Sequence, residues 1–310
     1  MSVDARAITE DLLAFIAASP SPFHAVDTAV QRLTEAGFTE ADLTAPLPGP
    51  GAAACVRRGG TLVAWRSPRA KATSADGSRA PVPFRIVGAH TDSPNLRIKP
   101  QPDRTSFGYR QLGVEVYGGV LLNSWLDRDL GLSGRVTLAD GGRVEERLFR
   151  IDEPILRIPQ LAIHLDRDVN ERGLVLNKQA HLSPIWGVGG GDSRGLRDLL
   201  ADAIGVDARS IVAWDAMCHD LTPPALVGVD RDLVSAPRID NLLSCHAALR
   251  ALLATDDDLD CTAVVVLFDH EEVGSTTDRG ADSAFLAAVL ERISAAAGAD
   301  RAQHLAALAA

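Results

Sequence analysis

Apolar positions open the chain at helical spacing. Ile8, Leu12, Leu13, Phe15 and Ile16 predict a helix over residues 7–17 with one buried face. Ser21-Pro22 then supplies an N-cap and a first-turn proline for a second helix, which Gly37 closes. Residues 68–83 (PRAKATSADGSRAPVP) break the period as a polar, proline-bearing loop. FRIVGAH follows as an apolar strand ending in a histidine. From 95 to 232 the texture changes to short alternating strands (VEVYGG, SGRVTL, RVEERLF) between glycine-rich turns, among them DGG at 140–142. Beyond Pro237 a helix is predicted from Asn241 to Leu253, CTAVVVLF reads as a buried strand, and 282–297 as an alanine-rich helix.

This pattern predicts an α/β domain, 1–94 with 233–310, interrupted by a β-rich domain over 95–232. RAQHLAALAA starts one more amphipathic helix, with Leu305 and Leu308 on one face. It has no glycine, proline or basic cap before the sequence stops, so the chain is expected to be cut short.

A length of 310 residues allows a large core and two domains, and a composition 46% hydrophobic and 23% charged is that of a soluble globular protein. The apolar runs fall far short of the roughly 20 residues of a membrane helix. The first ten residues, MSVDARAITE, carry acids and no apolar stretch, so they are not a secretory signal. The net charge of −10 argues against a nucleic-acid partner, because phosphate binding wants a surplus of Lys and Arg. Cys55, Cys218, Cys245 and Cys261 lie far apart with no CxxC pair, and are read as reduced and buried in a cytoplasmic protein.

Three segments carry candidate chemistry: IVGAHTDSP with His90 and Asp92, PRIDNLLS with Asp240 opening a helix, and VVVLFDHEEVGS with Glu271 and Glu272. Catalytic groups gather at the carboxyl ends of strands in an open α/β sheet. A buried strand running into two glutamates places charge where burial should have continued, and a divalent cation would compensate it. Histidine with carboxylates is a donor set that zinc accepts. In an extended segment adjacent glutamates point different ways, so one can hold the metal while its neighbour takes a proton from water. Asp92 could hold His90 in the ligating tautomer. Each piece alone has a plain reading: a loop histidine beside an aspartate, a solvated glutamate pair, an aspartate N-cap. Their joint placement is what favours chemistry.

SPSPFHAV (19–26), GAHTDSPNLRIKP (88–100), LDRDLGLSGRV (126–136), IPQLAIHL (158–165), RIDNLLSCHAAL (238–249) and DHEEVGS (269–275) closely resemble the aspartyl aminopeptidase family of metallopeptidases, in that family's order. The resemblance implies a zinc-exopeptidase-type α/β/α catalytic domain interrupted by a dimerisation domain, and a cytoplasmic homo-oligomer in which dimers build a dodecamer. It implies two zinc ions per subunit in the complete enzyme, and as substrates peptides with a free N-terminus, Asp or Glu by the family's tendency. By the same resemblance His90 is the terminal ligand of one zinc, Asp240 the bridging carboxylate, Glu272 a ligand of the second zinc and Glu271 the general base. Asp92 looks like the supporting aspartate, and His164 like the histidine that reaches a neighbouring subunit's active site. His24 is read as capping or packing, His270 as supporting the glutamate pair, and His181, His219, His246 and His304 as structural or surface residues.

Family members add an aspartate and a histidine from a C-terminal segment beyond the position matching Ala310. The expectation is therefore a fragment of an active enzyme, inactive or nearly so by itself. Two rival readings stand beside it: a related two-zinc deacylase of N-acyl amino acids, and a non-catalytic assembly subunit.

Overall fold

The computed structural model describes residues 4–69, 82–189, 194–256 and 258–310. Most of the expected 68–83 loop thus lies outside the described residues. The chain divides into two compact units, Met1–Asp92 with Pro224–Ala310 and Ser93–Pro223.

The first unit starts with helices α1 (Ala5–Ala18) and α2 (Pro22–Glu35). Asp4 caps α1 by accepting the Arg6 and Ala7 N–H groups, and Ser21 accepts the His24 N–H at the start of α2. Past the end of α2, Gly37 takes the left-handed φ of +87° that a side chain would resist. Strands β1 (Thr39–Glu40), β2 (Ala53–Arg58), β3 (Thr61–Arg66) and β4 (Phe84–His90) follow.

The second unit contains β5 (Asn95–Ser106), β6 (Tyr109–Tyr117), β7 (Leu130–Asp140), β8 (Arg143–Leu156), the short helix α3 (Val169–Arg172), β9 (Ile185–Val188), α4 (Leu196–Ile204) and β10 (Ile211–Asp220). Its six strands form an antiparallel sheet in the order β8-β7-β10-β5-β6-β9. The DGG turn is a two-residue hairpin: Asp140 pairs with Arg143, and Gly141 and Gly142 take φ of +54° and +83°. Leu130, Leu132, Val136, Phe149 and Leu156 from the sheet share a core with Leu196 and Leu200 of α4.

The chain then returns to the first unit through β11 (Ala225–Val227), β12 (Leu233–Ser235), α5 (Ile239–Leu253), β13 (Thr262–Phe268), α6 (Phe285–Ala296) and α7 (Arg301–Ala309). β11 and β12 pair antiparallel with each other, and the chain re-enters this unit at Pro224. The sheet order is β1-β2-β3-β13-β4, with β4 parallel to β13.

Alternation along the strands builds an α/β/α sandwich. Cys55, Leu62, Ala64, Val265 and Leu267 face a core with α1, α2 and α5; Ala54, Val56, Val63, Trp65, Val264 and Val266 face a second core with α6 and α7. A strand buried on both faces reads as the unbroken apolar run seen at 264–267. Each such side chain contributes about 1.5–3 kcal/mol relative to exposure.

The last helix is α7, and Leu305 and Leu308 share its exposed face. Asp300 and Gln303 form a capping box that sets the register of α7, and the helix buries His304 and Ala307 while Leu305 and Leu308 are exposed. His304 Nδ1 lies 2.9 Å from Ser294 Oγ, a polar contact made on the buried face beside Ala307. No helix of the described residues is long and apolar enough to cross a membrane.

Candidate metal centre

Parallel pairing brings the strand ends together. Phe268 of β13 lies in register with His90 of β4, and the Thr91 N–H extends the ladder by donating to the Phe268 carbonyl at 2.7 Å. The chain turns sharply after β13. His270 adopts a left-handed φ of +67°, Glu271–Val273 form a single 3₁₀ turn, and Gly274 is left-handed again.

The glutamates are therefore not in the extended segment that the sequence suggested. A 3₁₀ turn sets successive side chains about 120° apart rather than on opposite faces. His90, Glu271 and Glu272 can each offer a donor atom with all three atoms within 4.8 Å of one another. One nitrogen and two carboxylates at this spacing suit zinc, so the residues present fit the cation. Glu271 is 55% exposed at its side chain and so open to water.

Asp92 organises this group from beneath. Its carboxylate is fully buried and accepts the N–H of Glu271 on Oδ1 and of Glu272 on Oδ2, both at 3.1 Å. His90 Nδ1 lies 3.4 Å from Asp92 Oδ1 and 3.1 Å from the Asp92 carbonyl. With hydrogen on Nδ1 directed at Asp92, the other ring nitrogen keeps its lone pair for a cation. One carboxylate thus braces all three donors. The hydrogen bond to Asp92, with the charges of Asp92, Glu271 and Asp240, holds the His90 imidazolium above the ordinary histidine value against the effect of burial.

Asp240 stands in the first turn of α5, where Arg238 rather than Asp240 is the capping residue. Its carboxylate accepts the Asn241 N–H at 2.7 Å. Its charge acts on His90, but it is not one of the three residues grouped within 4.8 Å. His164 sits exposed in a turn of the second unit.

Of the remaining framework, the sequence singled out His270 as support for the glutamate pair, but not Asp269, Thr277, Asn241 or Cys245. Asp269, fully buried, accepts the His270 N–H at 3.0 Å and donates its own N–H to Thr61 Oγ1 at 2.9 Å. His270 Nδ1 lies 2.7 Å from Thr277 Oγ1. Asn241 Nδ2 donates to the Thr91 carbonyl at 3.1 Å, and the Cys245 thiol to the His90 carbonyl at 3.0 Å. Burial pushes that thiol up to about 12, so it stays protonated and donates. The signal available was spacing alone: Asn241 and Cys245 lie four apart on one face of α5. All four cysteines are free, with Cys55, Cys218 and Cys245 buried and Cys261 part-exposed. His24 Nδ1 lies 2.7 Å from Ser21 Oγ at the cap of α2.

The paired strand ends of the sheet thus carry a histidine and two glutamates, a donor set that a zinc ion accepts. The chain belongs to the aminopeptidase I zinc metalloprotease family, M18, whose model matches residues 15–310. It is 50% identical over 293 residues to the Streptomyces coelicolor protein named "Probable M18 family aminopeptidase 2", covering 93% of this chain and 65% of that one. The chain thus spans 65% of the length of that relative. Among solved structures it resembles one of an Ape4 and Nbr1 complex, with a TM-score of 0.88, 34% identity and coverage of 96% of this chain and 61% of that one. It also resembles the mApe1 dodecamer of S. cerevisiae, with a TM-score of 0.77, 26% identity and coverage of 93% and 66%.

Proposed function

We propose that the protein is a zinc-dependent aminopeptidase that releases residues from the free N-termini of peptides, acidic residues foremost. The observation that carries this reading is the His90–Glu271–Glu272 group braced by Asp92 at the paired ends of β4 and β13.

His90 and Glu272 would hold zinc, with Asp240 shared between two ions as the resemblance implies. Bound zinc supplies a Lewis acid and lowers the pKa of water. Glu271 would take a proton from an attacking water and return it to the leaving amine, a role supported by its exposure at the rim of the group. His164, exposed in the second unit, is proposed to serve a neighbouring copy's site by stabilising the developing oxyanion. Self-association is supported by the dodecameric relative. The cytoplasm is the proposed compartment, supported by four free thiols.

The test is hydrolysis of Asp-, Glu- and Leu-initiated dipeptides and their N-acetylated forms by the purified chain with zinc added. Turnover of free dipeptides alone, fastest for Asp or Glu, supports the aminopeptidase. Turnover of blocked substrates would replace it with the deacylase. Zinc binding with no turnover, and turnover by a longer product, would support a fragment whose site is completed from outside these 310 residues.

A further inference from the structure

The three donor-bearing segments are far apart in the chain and are joined by a specific set of hydrogen bonds. α5, which carries Asp240, is fixed to the end of β4 by two fully buried side chains, Asn241 and Cys245. They take consecutive carbonyls: Cys245 that of His90 at 3.0 Å and Asn241 that of Thr91 at 3.1 Å. Thr91 passes the tie sideways, its hydroxyl donating to the Gly60 carbonyl at 2.6 Å and its N–H to Phe268. One residue on, Asp92 takes the amides of Glu271 and Glu272.

We infer that Asn241 and Cys245 are positioning residues of the metal centre: they lock His90 against α5, so that the donors of three segments stand assembled before any cation arrives. The inference rests on the zinc reading above. Its physical basis is that β4 is the edge strand of its sheet, paired on one side with β13, and the described residues offer it no second strand partner. Without the two α5 bonds, the carbonyls of His90 and Thr91 would lose buried partners, and the end of β4 would lose its tie to α5 while keeping those to β13, to Gly60 and to the glutamate turn. Groups that orient metal ligands in this way typically change affinity 10–100-fold when removed.

The experiment measures zinc dissociation constants by competition with a chromophoric chelator, beside melting curves of the zinc-free chain. The variants are Asn241→Ala, Cys245→Ala, Cys245→Ser and, as a stability control, Leu249→Ala. Leu249 lies buried on the same helix and faces the core. Asn241→Ala and Cys245→Ala are expected to weaken zinc about 10–100-fold. Cys245→Ser, which keeps a donor, should bind close to the parent, and Leu249→Ala should melt earlier with zinc affinity unchanged. Parent-like affinity in folded Cys245→Ala and Asn241→Ala would overturn the inference, as would a loss of affinity in Leu249→Ala equal to theirs. If Asn241→Ala fails to fold, the Cys245 pair decides by itself. A parent chain that binds no zinc would instead overturn the metal reading, and this inference with it.

Discussion

Replacing Asp92 by Asn tests the bracing of the donor group most directly, because the change removes a charge and one acceptor with almost no change in shape. In the parent the two carboxylate oxygens each accept one backbone N–H, from Glu271 and Glu272, at 3.1 Å in a fully buried position. The amide leaves one oxygen and sets an NH₂ group against the other N–H, donor facing donor. A hydrogen bond to a charged group contributes about 1.5–3 kcal/mol, and a buried donor left unsatisfied costs about 1–3 kcal/mol. These overlap in part, so about 2–4 kcal/mol of stability should be lost. For a unit of this size that corresponds to roughly 5–15 °C in melting temperature. The assay is thermal and urea unfolding of the zinc-free chain by circular dichroism, with zinc affinity read in parallel. Affinity should fall about 10–100-fold as the glutamate turn loosens. A loss of stability below about 0.5 kcal/mol, the level of an ordinary surface change, would refute the reasoning.

Gly60→Ala is expected to cost about 1–3 kcal/mol by overpacking. A Cβ there would meet the buried Asp269 carboxylate, with Cγ at 2.6 Å, and Pro22 Cβ at 3.0 Å. Because Asp269 holds the His270 amide, zinc affinity should fall too; unchanged stability in urea would show that the turn yields freely. Protonation gives a further prediction at His246, where Asp11 of α1, Arg32 of α2 and Arg250 of α5 converge and His246 Nε2 lies 2.7 Å from Asp11. Burial holds His246 below its ordinary value of 6.5, so the unfolded chain takes the proton first and stability is lost as pH falls below 6.5. Asp11, raised by burial but lowered more by its bonds to His246 and Arg32, adds stability that is lost as pH drops below 3.8. His90 is shifted upward and works with the opposite sign, so the comparison is with His246→Gln, which should flatten the decline that begins below pH 6.5. Equal slopes in parent and variant would reject the assignment.

Local signals were strong enough to outline much of the fold. Ser21-Pro22 and Gly37 bracket α2, the doublet Gly141-Gly142 makes its hairpin, and the 264–267 run is a strand buried on both faces, each because backbone geometry or burial leaves few alternatives. Of the residues singled out because charge directly after an apolar strand is costly unless compensated, the structure brings donor atoms of His90, Glu271 and Glu272 within 4.8 Å of one another. Period put Leu305 and Leu308 on one face of α7 without telling that this face is exposed, since the contact of His304 with Ser294 is made across ten residues and no helical pattern encodes it.

By itself the sequence determined the first two helices, α5, the glycine hairpin and the buried strand β13, since those depend on neighbours a few positions away. Only the tertiary structure decided that the glutamates share a 3₁₀ turn, that Asp92 reaches 179 residues along the chain to hold Glu271, and that Asn241 and Cys245 grip the end of β4. Hydrogen bonds of that range exist only once parallel pairing of β4 with β13, and the packing of α5 on that sheet, bring the partners within 3 Å or so of one another.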